Sequence, residues 1–140
     1  MIETQTHPDG SEEKILQFED GIPGFPTSRR FALIDVEPGA AFQFLQSLDD
    51  PDVSMVVTVP WLFFPDYAPE LSDAERTQLQ LDRPEDAIIF CPVTLDSAAR
   101  TIYLNLLGPF VVNSRTRSGR QVVLADSGYP VRAPVKLEDI

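Results

Sequence analysis

The sequence predicts a mostly β, small antiparallel β-barrel-like single domain with one short helix near residues 73–80. Three observations carry this. Short apolar runs of period two recur along the chain. Gly, Pro and Asp clusters separate them at intervals that suit strands joined by turns. A capping-box pattern occurs once, ahead of a short helical run. The 140 residues, 43% hydrophobic, suffice for one domain with a core of its own.

Residues 1–12 read as a flexible N-terminal tail, polar and acidic, that holds the single histidine, His7. Residues 13–140 read as the folded domain. "ILQF" and "FALIDV" are short β-rich runs, and "GIPGFP" (Gly21–Pro26) separates them. Glycine reaches positive φ at little cost, and proline fixes φ while removing a donor, so this stretch predicts a shaped bend. Its two ordinary side chains, Ile22 and Phe25, then either plug one end of the fold or join a docking surface.

"FQFLQSL" places Phe42, Phe44 and Leu48 on one predicted face, and "VSMVVTV" places Val53, Met55, Val57 and Val59 on another. In "RTIYLNL", Ile102, Leu104 and Leu106 oppose Thr101, Tyr103 and Asn105. "AIIFC", "FVVN" and "RQVVLA" are further β-rich runs. The separators are "EPGA", "DDPD", "DSAAR", "LGP", "RSG" and "DSGYP". Ser72, with Glu75 three residues on, predicts a helix start, and Leu79 is its expected anchor. "WLFFPDYAP" is aromatic without alternation and is flanked by prolines. It is expected to fold over the core with Trp61, Phe63, Phe64 and Tyr67; an aromatic binding patch is the alternative.

Charge bears on function. The net charge is −11, and residues 1–100 carry 19 Asp and Glu against 6 Lys and Arg, while residues 101–140 carry 3 against 5. A nucleic-acid binder neutralises phosphates with cations, so direct binding of nucleic acid through the G-x-x-G of the bend is excluded. An acidic surface suits a basic protein partner, or simply solubility. No apolar run reaches the length of a membrane span, and the polar start lacks a secretory pattern, so the expected location is cytoplasmic.

Chemistry finds little support. His7 falls in the expected tail, away from any folded neighbourhood that would build a triad. Cys91 lies in an apolar run and reads as a small buried hydrophobe. Asp50, Asp52 and Ser54 alternate as in a calcium loop, but Met55 stands where that loop requires glycine. No catalytic, cofactor-binding or metal residues are predicted, which leaves binding as the default role.

The ordered set "ILQFEDGIPGFPTSRRFALI", "FQFLQSLDDPDVSMVVTVP", "FFPDY", "CPVTLD", "TIYLNLLGPFVVNSRTRSGRQVVL" and "SGYPVRAPV" resembles the flagellar assembly factor family, FliW, over about residues 14–135. The resemblance implies a non-enzymatic protein that binds the translational regulator CsrA, a small basic dimer, and antagonises its repression of flagellin mRNA. It implies flagellin as the second partner, in a switch that couples flagellin synthesis to export. It also implies that CsrA is engaged apart from its RNA site.

Three groups of residues are candidates for partner binding: Glu19 and Asp20 with Ile22 and Phe25; Asp49, Asp50 and Asp52 with Gln46; and Asn105. Carboxylates would take charge-assisted bonds from a partner's arginines, and the amide of Asn105 would pair with a partner backbone. Each residue has a structural alternative as a turn or core element. Two other functions stay open. One is an acidic nucleic-acid mimic that blocks a basic RNA-binding protein directly. The other is a small enzyme using a carboxylate pair.

Overall fold

The computed structural model describes residues 4–6, 12–25, 27–37 and 41–140. His7 and most of the "EPGA" turn lie outside the described residues. Among the described residues ten strands appear in chain order: β1 (Thr4–Thr6), β2 (Glu12–Gln17), β3 (Arg30–Asp35), β4 (Phe42–Ser47), β5 (Ser54–Thr58), β6 (Ala87–Asp96), β7 (Thr101–Leu104), β8 (Phe110–Asn113), β9 (Gly119–Gln121) and β10 (Ala133–Lys136). One α-helix, α1 (Asp73–Gln78), lies between β5 and β6. Within the segment read as a tail, β1 pairs with the start of β2, Thr4 opposite Lys14.

Neighbouring strands pair antiparallel from β1 through β7 and on to β10. The strand β6 is long because it serves two neighbours on one side. Ala87–Phe90 pairs with β8, and Val93–Asp96 pairs with β7. Between those ladders three steps along β6, Phe90 to Val93, face six along the other chain, Leu104 to Phe110. The surplus bulges out as "NLLGP". Pro92 sits at this break, where its missing N–H costs no ladder bond on that side, and its carbonyl accepts from Asn105 N at 3.0 Å.

The barrel-like expectation holds in part: the fold is mostly β with one short helix. The sheet forks at β6, with β10 beyond β7 and β9 beyond β8. One parallel bridge, Gln17 to Ser118, joins β2 to the start of β9. A single bridge is not a ladder, so the sheet is curled and forked and not clearly closed.

The fork creates two cores. Leu16, Phe18, Ile22, Phe31, Leu45, Val57, Phe90, Phe110 and Val112 fill one. Its aromatic rings meet edge to face, Phe18 with Phe31 at 5.5 Å and with Phe110 at 5.7 Å. Tyr67, Leu79, Cys91, Ile102, Leu104, Leu106, Val111, Val122 and Leu124 belong to the other. All of β8 is buried, because Val111 faces one core while Phe110 and Val112 face the other. Gly119 in β9 fits against this wall: a Cβ there would lie 2.7 Å from Val112 Cγ2.

The helix forms as the capping box predicts. Ser72 Oγ accepts from Glu75 N, and Glu75 Oε1 accepts from Ser72 N. It ends at Gln78, two residues short of the expected 80, with Leu79 as its C-cap and anchor in the core. Ile102, Leu104 and Leu106 are buried as expected. In β4, Phe42 and Phe44 share one face as expected, and it is the opposite face, with Leu45 and Ser47, that points into the first core; Phe44 is exposed and Phe42 stacks on Phe63.

The aromatic segment closes the second core. Tyr67 is buried and donates to Leu106 O at 2.7 Å, Trp61 Nε1 donates to Tyr67 O at 2.7 Å, and Tyr129 Oη accepts from Ala68 N at 2.9 Å. Only Trp61 and Leu62 of this segment's large apolar side chains are well exposed.

Candidate partner-binding surface

The β2–β3 bend is set by Gly21 and Gly24, at φ 72° and 92°. These values fall in the region glycine visits freely, and they close a tight loop in which Phe25 N donates to Ile22 O at 2.7 Å. The bend separates its two apolar side chains. Ile22 is buried in the first core, and Phe25 is 38% exposed. Glu19 and Asp20 are exposed beside them.

The β4–β5 turn holds the second group. Asp49 Oδ2 accepts from the backbone N–H of Arg29 at 2.8 Å and of Arg30 at 2.9 Å. These two bonds, Arg29 first, hold its carboxyl below the ordinary value of 3.8, and the Arg30 guanidinium 3.5 Å away adds to the effect. Asp50 Oδ1 accepts from Asp52 N, which shapes the turn, and Asp52 itself is exposed. Gln46 Nε2 donates to Ser47 O and Val53 O, so its amide works inside the loop.

Arg29, a residue that the sequence reading passed over, brings the two groups together. Its Nη1 donates to Glu19 O at 2.8 Å while its backbone donates to Asp49. Ser28 and Ser47 are joined beneath by a 3.0 Å hydroxyl contact. The bend and the Asp turn therefore form one rim at one end of the sheet. Its exposed carboxylates are those of Glu19, Asp20, Asp49 and Asp52, with Phe25 as its exposed apolar side chain.

Asn105 is held in the bulge between β7 and β8. Its Oδ1 accepts from Gly108 N, three residues on, at 2.8 Å, a local bond that shapes the bulge. Gly108 O in turn accepts from Gln121 Nε2 at 2.8 Å. Gln121 and Arg120 line a shallow depression together with Asp20, Gly21, Ile22, Pro23 and Gly24. The third candidate thus connects to the rim through Gln121. No sequence signal marked Gln121 or Arg29; both work through partners distant along the chain.

Among the described residues, groups suited to covalent or metal chemistry are not assembled. Burial pushes the Cys91 thiol up to about 12, which keeps it protonated, and burial also raises the Tyr67 hydroxyl beside it. Among the described residues no three His, Cys, Asp or Glu side chains are grouped to hold a metal ion. No helix among them is long and apolar enough to cross a membrane.

The family model "FliW protein" matches residues 3–135. A flagellar assembly factor FliW of Clostridium beijerinckii is 37% identical over 124 residues, covering 89% of this chain and 88% of the relative. Another, of Clostridium novyi, is 31% identical over 99% of both chains. A crystal structure of the flagellar assembly factor FliW superposes with a TM-score of 0.80 at 29% identity, covering 99% of this chain and 100% of that one.

Proposed function

The chain belongs to the FliW family of non-enzymatic flagellar assembly factors, and from that premise we propose that it binds CsrA and antagonises repression of flagellin mRNA translation. Flagellin is the second partner, and exchange between the two couples flagellin synthesis to export. The site of action is the cytoplasm, where both partners are made. The family match over residues 3–135 carries this reading. The acidic rim around Phe25 supports it, because a basic dimer is steered and selected by a complementary negative surface.

Within the rim, Glu19, Asp20 and Asp52 meet the cations of CsrA, and Phe25 supplies the apolar contact. Asp49 and Gln46 hold the rim in shape, and Ile22 anchors the bend from inside. Asn105 acts through Gly108 and Gln121 in the same way.

Titration calorimetry with CsrA and flagellin from the same organism tests the proposal. Each should bind, and the presence of one should abolish binding of the other. If neither partner binds, the functional reading falls. If CsrA is displaced only at low RNA concentration, direct mimicry of the nucleic acid replaces antagonism at a separate surface.

A further inference from the structure

Beyond the rim, the chain runs from Gln121 through Val122 to Leu124 in an extended path without a strand partner. Val122 and Leu124 are pinned inward, where Val122 N donates to Pro109 O at 2.9 Å and Leu124 N to Leu107 O at 2.8 Å. Alternation then forces the side chain of Val123 outward, and it is 63% exposed. It lines an open groove of about 780 Å³ between Ala68–Glu75 and Val123–Tyr129.

Two contacts brace one wall of this groove against the other. Ala68 N donates to Tyr129 Oη across its base, and Tyr129 meets the Tyr67 ring edge to face at 4.7 Å. Leu71, Val123, Leu124 and Ala125 supply apolar lining, and Glu70, Glu75 and Asp126 supply carboxylates. Among the described lining residues none is Lys or Arg. Glu75 is occupied by the helix cap, so Glu70 and Asp126 are the carboxylates left to face an occupant.

We propose that this groove is a docking site for a basic segment of a protein partner, with an apolar side chain seated on Val123 and flanking cations on Glu70 and Asp126. Charge selects the occupant, since an acidic segment would meet repulsion and an uncharged one would leave the carboxylates unpaired. Gln121 lies two residues from Val123 and also lines the depression beside Gly21–Gly24. The inference rests on the proposed function in taking CsrA as the basic partner.

Two probes test it. In the first, CsrA is titrated into the wild type, Val123→Arg and Glu70→Lys, with thermal melts as a check on folding. Both positions are exposed, and the melts should superpose. Affinity for CsrA should fall by at least about tenfold in Val123→Arg and by a smaller factor in Glu70→Lys. Wild-type binding that both variants retain would overturn the groove while leaving the function standing. In the second, a short peptide of alternating lysine and leucine is titrated into isotope-labelled protein. Saturable amide shifts at Glu70–Ser72 and Val123–Ser127, lost in Val123→Arg, support the groove; shifts confined to other surfaces overturn it. If wild-type protein fails to bind CsrA, the functional reading falls, and the peptide result alone decides the groove.

Discussion

The side-chain amide of Asn113, fully buried at the end of β8, donates to the carbonyl of Leu79 at 2.9 Å, 34 residues earlier in the chain. It also donates to Gln80 O at 3.1 Å, and its Oδ1 accepts from Arg115 N and Thr116 N. One side chain thereby caps the last carbonyls behind α1 and turns the β8–β9 connection. Replacing Asn113 with Ala leaves buried donors and acceptors without partners. Chemical denaturation should show a loss of about 2–4 kcal/mol. A loss below about 0.5 kcal/mol would mean that water replaces the amide.

Gly119 is required for close approach. The Cβ of Gly119→Ala would meet Val112 Cγ2 at 2.7 Å and Val111 O at 3.0 Å. Overpacking against a wall buried on both faces should cost about 1–3 kcal/mol and lower the thermal midpoint. The same substitution at Gly24 meets no atom within 4 Å; its penalty arises from φ alone.

Asp49 makes part of the stability acid-labile. Its folded carboxyl titrates below the unfolded value of 3.8, because the Arg29 and Arg30 N–H groups stabilise the anion. A depressed pKa contributes stability that is fully present above the unfolded value and is lost as pH falls through the folded one. Denaturation curves between pH 5 and pH 2 should therefore be flatter for Asp49→Asn than for the wild type. Parallel curves would assign the acid sensitivity to other carboxylates.

Cys91 should be silent to thiol reagents in the native state. Its thiol is fully buried and pushed up to about 12 by that burial, so at pH 8 almost no thiolate exists. Labelling by a chromogenic disulfide reagent should follow unfolding and reach one equivalent in guanidinium. Fast labelling without denaturant would show that the second core opens locally.

The rim prediction separates steering from folding. Charge reversal at Glu19, Asp20 and Asp52, all exposed, should slow association with CsrA at low salt and leave the thermal midpoint unchanged. The difference from wild type should shrink as the screening length falls to roughly 8 Å at physiological salt. Reversal at Asp49 should instead destabilise the fold, because its carboxylate holds the start of β3. Equal association rates for wild type and triple variant at low salt would remove the rim as the steering surface.

The sequence by itself determined what depends on near neighbours. Ser72 and Glu75 specified where α1 starts, since both halves of the capping box lie within one turn. The glycines of "GIPGFP" specified a bend, and the alternation of Ile102, Leu104 and Leu106 specified the buried face of β7. The order of motifs specified the family. Tertiary structure alone decided which face of β4 is the core. Phe42 and Phe44 alternate as well as Leu45 does, and only pairing with β3 and β5 picks one face. It also decided that β6 serves two neighbours and that the sheet forks, because a bulge at Pro92 and Asn105 is a relation between two strands. Finally, it sorted the carboxylates. Asp49 and Asp52 look alike in "DDPD", yet one is held by Arg29 and the other faces solvent, because the donors arrive from 20 residues away.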